Sequence, residues 1–532
     1  MAFVSFSFAI FVAITVLIYF SVPKKYQWCV LLCASYFYFW SCSKYLVLVL
    51  FIATLITFMT AKLIQSINTK SKYYLEKNEK KITKEEKKEH TDNIKKQTRG
   101  ILTIGIVLVL GCLLYMKYYN FFITNVNGIL QVAGLFSLPT HSLLLPIGIS
   151  FYTLQAIAYM TDVYRKKYEA DNHFGKFMLF MSYFPQIVQG PIARHNHLAH
   201  QLYAEHSFSY KAFTFGLQLI LWGGFKKLVI ADRMAIPVNE IFNNYGEYTG
   251  LLIVLGAMLY GLQVYADFSG GMDIARGISQ ILGIELELNF KQPYFSTSVE
   301  DFWRRWHITL GAWMRDYIFY PLSLSKLFGK LGKKSRALFG TTVGKRIPAF
   351  IAMFMVYFLV GFWHGAEWKY IAYGVWNGVF IVMGILLVDV YAKAKEKCAV
   401  NESTFSWHLF QILRTFVIIS LGRLFSRGTD LTAALDMFAR IPRNFCDISF
   451  LVDGTLIELG LNTANWVVLM LAIAFLIFTD YLHERGIQIR ETIAEQHIAF
   501  RWFVYYTAIF AVIIFGVYGL GYDSAAFVYQ QF

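Results

Sequence analysis

Residues 347–368 read IPAFIAMFMVYFLVGFWHGAEW. From Ile347 to Trp363 there is no charged side chain, and as a helix the run is long enough to cross bilayer hydrocarbon. It ends on His364, bracketed by Gly361 and Gly365, which allow close backbone approach around the imidazole. An ionisable group in lipid is costly and usually lines a cavity or a reaction path. Histidine titrates near neutral pH, so it can take a proton from a hydroxyl and return it. The plainer alternative is a buried imidazole bonded to a neighbouring carbonyl. If the helix continues, Glu367 is placed to orient or charge the ring.

Composition sets the class. Hydrophobic residues make up 57% of the 532 and charged residues only 16%, a balance that fits a polytopic helical membrane protein. Further apolar runs occur at Phe3–Phe20, Tyr45–Ala61, Ile101–Tyr118, Leu143–Met160, Ala212–Ile230, Leu251–Ala266, Ile371–Val388, Trp466–Phe478 and Trp502–Leu520. Shorter candidates lie at Trp28–Phe39, Phe177–Val188 and Phe410–Leu421. The first charge, Lys24, follows the first apolar run, so Phe3–Phe20 is expected to be a retained helix and not a signal peptide.

The net charge of +15 is concentrated in loops, as positive-inside bias predicts, and points to no nucleic-acid partner. Thr69–Arg99 holds eleven Lys/Arg against six Asp/Glu and is expected to be a charged cytoplasmic loop, partly disordered. Lys326–Arg346 holds seven basic residues and no acidic one. Arg165–Lys167, Lys226–Lys227 and Lys393–Lys397 add smaller clusters at helix ends. Placing all of these in the cytoplasm puts both termini outside, with residues 521–532 as an extracytoplasmic tail. The six cysteines are scattered without a CxxC pair, which argues against structural zinc or a disulfide framework. No nucleotide-binding motif, HExxH or internal repeat is present.

A second polar segment, Asp301–Pro321, reads DFWRRWHITLGAWMRDYIFYP. As one helix it carries an aromatic ridge of Phe302, Trp306, Trp313 and Tyr317, with Arg305, Thr309 and Asp316 on another stripe. His307 then lies beside Trp303 and Gly311, and Asp301 pairs with Arg305 one turn on. Such a helix is too polar to face lipid, so it lies in the interface or re-enters the membrane inside the protein. An interfacial aromatic anchor is the alternative. Tyr265–Gly270 (YADFSG) adds Asp267 and Ser269 at the end of an apolar helix, and Asn289–Tyr294 (NFKQPY) leads into the Asp301 helix. Phe184–His195 combines Pro, Gly and Gln in an apolar segment, as re-entrant loops do. His195, His197 and His200 invite a metal reading, but without cysteine and with only Glu205 nearby they read better as polar surface residues.

The ordered set LLPIGISFYTLQ (Leu144–Gln155), FPQIVQGPIAR (Phe184–Arg194), YADFSG, NFKQPY, FWRRWHITL (Phe302–Leu310) with MRDYIFYPL (Met314–Leu322), and FWHGA (Phe362–Ala366) closely resembles the membrane-bound O-acyltransferase family. Its bacterial cell-wall and alginate O-acetylation branch resembles this chain best. The resemblance implies a single embedded domain over 1–532: an all-α polytopic bundle of about 11–14 membrane helices, re-entrant segments included, around a central chamber. It matches the family histidine to His364 and a second conserved-type position to His307. Trp303, Arg304, Arg305, Trp306, Asp316, Trp363, Asp267, Ser269, Asn289 and Gln292 are expected around the chamber, with Arg304 or Arg305 meeting an anionic donor or an oxyanion.

The activity implied is transfer of an acyl group, expected to be acetyl, from a cytoplasmic thioester to an extracytoplasmic polysaccharide in a bacterial cytoplasmic membrane. Acetyl-CoA or an acyl-carrier thioester is the donor substrate, and no tightly bound cofactor or metal is expected. The implied partners are an SGNH-type or lipase-like extracytoplasmic acetyltransferase, membrane lipid and the polysaccharide acceptor. D-alanyl transfer to teichoic acid and transport without bond chemistry are the alternatives. The terminal FVYQQF (Phe527–Phe532) resembles the aromatic C-terminal motif of the small partner in D-alanylation, which marks Tyr529 as a candidate acyl carrier. Gln530 departs from that pattern, and an interfacial anchor is the competing reading.

Overall fold

A computed structural model describes residues 3–518, apart from position 188 and the side chain at position 342. Among the described residues the chain is all α, with short 3-10 and π turns and one isolated antiparallel bridge, Phe290 to Trp306. Nine helical stretches among them are long and apolar enough to cross a membrane, the architecture that lipid imposes because every backbone group must be satisfied within the segment. Lys24–Lys77, counted as one stretch, contains two helices, Gln27–Ser43 and Val47–Lys77, broken where Lys44 takes φ 50°. Phe6–Ser21 and Ile149–Tyr164, both within the expected 11–14, are too short to be counted this way.

The chain divides into two compact units, Met1–Thr214 with Ile278–Leu286, and Phe215–Gly277 with Glu287–Phe532. In the first unit the charged segment at 69–99 is not a disordered loop. Val47–Lys77 and Lys84–Leu113 run almost through it, leaving a short turn between them. The Thr83 amide donates to the Glu86 carboxylate (2.9 Å) and the Glu86 amide to the Thr83 hydroxyl (3.2 Å), a capping box that starts the second helix. Lysine and glutamate are good helix formers, so abundant charge does not prevent helix formation. The apolar run expected from Leu143 becomes helix only at Ile149, after Gly148 at φ 70°. Phe177–Val188 breaks at Tyr183, between Phe174–Ser182 and Phe184–Ile187. Residues 190–193 then continue without helix yet are buried, as the re-entrant reading of that segment requires.

The second unit holds charge in its interior. Tyr210–Gly224 passes into a π turn, Phe225–Ala231, packed against Gly250–Ile281. A Cβ on Gly223 would sit 2.5 Å from the Gly270 carbonyl oxygen, so both glycines let the backbones touch. That contact decides where Lys226 and Lys227 go. Expected as a cytoplasmic cluster at a helix end, they are instead 4% and 1% exposed. Lys227 Nζ meets Asp267 at 2.7 Å and Asp232 at 2.8 Å, while Lys226 Nζ meets Asp273 at 2.7 Å and the Ser269 hydroxyl at 2.8 Å. These two lysines therefore carry no weight in the positive-inside argument.

Lys227→Met leaves two carboxylates facing a removed cation and is expected to cost about 3–5 kcal/mol. Thermal unfolding of purified protein in detergent measures the loss, and adding Asp267→Asn recovers part of it.

Candidate active site

The Asp301–Pro321 segment is not one helix. Val299–Arg305 and Ile308–Met314 are separate, and His307 between them takes φ 46° and ψ 51°, a left-handed backbone uncommon for a residue with a Cβ. Neighbouring backbone holds the corner. The Lys291 amide donates to the Arg305 carbonyl (3.0 Å) and the Ile308 amide to the Asn289 carbonyl (3.1 Å). The Asn289 side-chain oxygen accepts from the Thr309 amide (2.9 Å) and hydroxyl (2.7 Å). His307 is therefore turned inward, 2% exposed, with its ring 5.0 Å from Phe268 and 6.0 Å from Trp363. The continuous helix behind the expected His307–Trp303–Gly311 stripe is absent, yet the Gly311 amide still donates to the His307 carbonyl (3.1 Å) and Gly311 lies beside the Trp303 carbonyl. The expected pair survives within the first helix, Arg305 Nε to Asp301 at 3.1 Å.

His364 is the last residue of the Lys326–His364 helix, which bends at Gly340 (φ 74°, ψ 175°). A Cβ on Gly361 would lie 2.8 Å from the Gly374 Cα, and one on Gly365 would enter the Tyr370 ring. The two glycines thus press the helix end onto Trp368–Leu386, as their spacing about the histidine suggests. The helix does not continue, so the helical spacing that would set Glu367 beside the imidazole is lost. Glu367 is exposed and meets Lys369 at 3.3 Å. The half-buried His364 ring lies 5.1 Å from Trp363 and 6.0 Å from Tyr373. Trp363 is thus the shared neighbour of both histidines.

The other expected site residues divide. Trp306, Asn289 and Trp363 gather at the histidines, and Trp303 joins through its indole N–H to Asn377 (3.3 Å). Asp267 and Ser269 face the buried lysines. Gln292 sits in a left-handed turn, half-buried, before Pro293. Asp316 faces Arg315 at 3.2 Å on a π turn. Arg304 is exposed and pairs with Asp301 at 3.4 Å; Arg305 is neutralised by Asp301 and by Glu484 at 2.7 Å. These contacts leave both arginines poorly placed for an oxyanion. His195 meets Asp171 at 3.4 Å, and among the described residues no group of side chains could hold a metal ion. Tyr529 and the tail at 521–532 lie outside the described residues.

The sequence reading passes over Arg423. It is buried in Phe405–Arg427 with its guanidinium 4.6 Å over the Trp306 ring, and an arginine inside an apolar helix is the signal that would have found it.

The described residues thus form an all-α, multi-pass scaffold that places His307 and His364 on either side of Trp363. The chain belongs to the membrane-bound O-acyltransferase family, whose model matches residues 165–426. It is 32% identical over 385 residues to the probable alginate O-acetylase of Pseudomonas syringae pv. tomato, covering 72% of this chain and 68% of that protein. It is 30% identical to the peptidoglycan O-acetyltransferase of Helicobacter pylori, over 63% of each chain. The match to the teichoic acid D-alanyltransferase of Streptococcus thermophilus is 28% identical over 48% of this chain and 60% of that one. The protein is a multi-pass membrane O-acyltransferase.

Burial pushes the His307 pKa down to about 3, so the imidazole is neutral in the folded protein near neutral pH. The unfolded histidine protonates near 6.5, so between about pH 6.5 and 3 the unfolded state holds the extra proton and stability falls as the pH falls. His307→Asn tolerates the left-handed backbone and removes this titration. The slope of stability between pH 6.5 and 5, followed by thermal unfolding, is expected to be shallower in the variant by about 1 kcal/mol per pH unit.

Proposed function

We propose that this acyltransferase takes an acetyl group from a cytoplasmic thioester and passes it across the cytoplasmic membrane of a bacterium for O-acetylation of an extracytoplasmic polysaccharide. The observation that carries the reading is His364, half-buried at a helix end between two glycines and one indole away from His307. The names of the alginate and peptidoglycan relatives share one acyl group across two different acceptors, which supports acetyl as the cargo.

In the proposed reaction His364 is the general base. The acceptor hydroxyl oxygen adds to the thioester carbonyl carbon as its proton passes to the imidazole, and the carbonyl electron pair moves onto oxygen. Collapse re-forms the carbonyl, breaks the C–S bond and returns the proton to the departing sulfur. His307 suits this base role poorly, because an imidazole with a pKa near 3 holds a proton weakly. Its neutral ring instead positions or hydrogen-bonds the acyl group.

Acetyl-CoA is the simplest donor, with a carrier-protein thioester as the variant. Its phosphates would be drawn to the basic Lys326–Arg346 stretch, where Lys345, Arg346, Phe350 and Met353 line an open groove. That stretch and the basic hairpin tip at 69–99 support a cytoplasmic donor face, with both termini outside. The Tyr529 hydroxyl would carry the acyl group outward to an SGNH-type or lipase-like transferase acting on the polysaccharide.

His364→Ala is expected to lower polysaccharide O-acetylation by about 10²–10⁴-fold while the protein still inserts and folds. Ester-bound acetate released from the wall measures it, and wild-type levels would refute the role. Tyr529→Phe keeps the ring and removes the oxygen, so acyl export should fail while acetyl-CoA binding persists. Normal O-acetylation in that variant would leave only an anchoring role for the tail.

A further inference from the structure

Most buried cations of the second unit are matched. Lys226, Lys227 and Arg305 each meet carboxylates, and Arg233 meets the Asn465 and Val229 oxygens. Arg423 is different. It is 4% exposed, and among the described residues no carboxylate pairs with it. Its guanidinium lies 4.6 Å over the Trp306 ring, with Tyr294, Tyr373 and Tyr260 as the titratable groups facing it. The Tyr294 proton is committed to the Gly261 carbonyl at 2.6 Å. Arg423 Nε and Nη2 have no hydrogen-bond partner among the described residues.

A guanidinium is always charged and offers five donors in a fixed fork that fits a carboxylate-sized anion. Leaving two of them buried and unmet is costly, and the aromatic face beneath satisfies the charge only in part. The position relates this charge to the histidines. Trp306 directly precedes His307, and the Tyr373 ring lies 6.0 Å from that of His364. Arg423 therefore faces the residue next to His307 in the chain and a tyrosine whose ring neighbours His364.

We propose that Arg423 binds a substrate oxygen that is, or becomes, negatively charged, and that its fixed charge selects the acyl group. Resting on the acyl-transfer reading above, the site accepts uncharged or anionic acyl groups and rejects an aminoacyl group carrying a free ammonium. The same charge that gives an oxyanion its partner repels a cation in this low-dielectric interior.

The test uses the purified full-length protein, with Arg423→Gln removing the charge and Arg423→Lys keeping it. Sodium acetate, titrated against matched sodium chloride, is expected to raise the Tm of the wild type and Arg423→Lys but not of Arg423→Gln. Acetyl and D-alanyl thioesters of N-acetylcysteamine then compete as donors. Arg423→Gln should lose at least tenfold in acetyl transfer and gain at least tenfold in its alanyl-to-acetyl ratio. An acetate shift that is absent from the wild type or survives in Arg423→Gln overturns the site, as does an unchanged ratio. A wild type that stabilises with acetate through Arg423 yet transfers no acetyl group refutes the acetyl reading alone. One that prefers D-alanyl overturns both.

Discussion

The Asn289 side-chain oxygen, accepting from both the amide and the hydroxyl of Thr309, is the contact on which the site depends. It closes a corner that a continuous helix would not make, and with the Lys291–Arg305 and Ile308–Asn289 backbone bonds it fixes His307 in a left-handed conformation. A residue with a Cβ adopts that conformation only where its surroundings over-determine it. The consequence reaches Trp306, which is stacked on Phe302 at 5.3 Å and so presents its ring to Arg423. One carboxamide thus orients a histidine, an indole and, through the indole, a guanidinium.

Small residues do the complementary work. Gly361 and Gly374 let two membrane helices approach until backbone meets backbone, and Gly223 with Gly270 does the same beneath the buried lysines. Where helices come that close, side chains near the contact are sealed from lipid. Lys227 between Asp232 and Asp267 is tolerable there because its charge is matched within hydrogen-bond distance. Arg423 follows the opposite rule, a charge that lies over an indole with no acid paired to it among the described residues.

Much of this was legible in the residues. Apolar runs bounded by charge located the membrane helices, since a bilayer permits few other solutions. An imidazole at the end of an uncharged run, with glycines three before and one after, marked the helix end that reaches the site. The pair Asp301–Arg305 followed from helical spacing. What failed shares one cause. The broken helix at His307, the inward turn of Lys226 and Lys227, the neutralisation of Arg305 by Glu484 and the end of the helix before Glu367 all depend on residues distant in sequence or on where a helix stops.

Sequence by itself determined the class, the helical architecture and the family, because hydrophobic length and local motifs carry that information without reference to any neighbour. Only the tertiary structure decided which charges are spent and which are left over. Lys226 and Arg423 look alike as cations inside apolar segments. One lies across from Asp273 on a helix more than forty residues away, and the other lies over an indole with no acid beside it. Charge pairing is a property of packing, and packing is set where the chain folds back on itself.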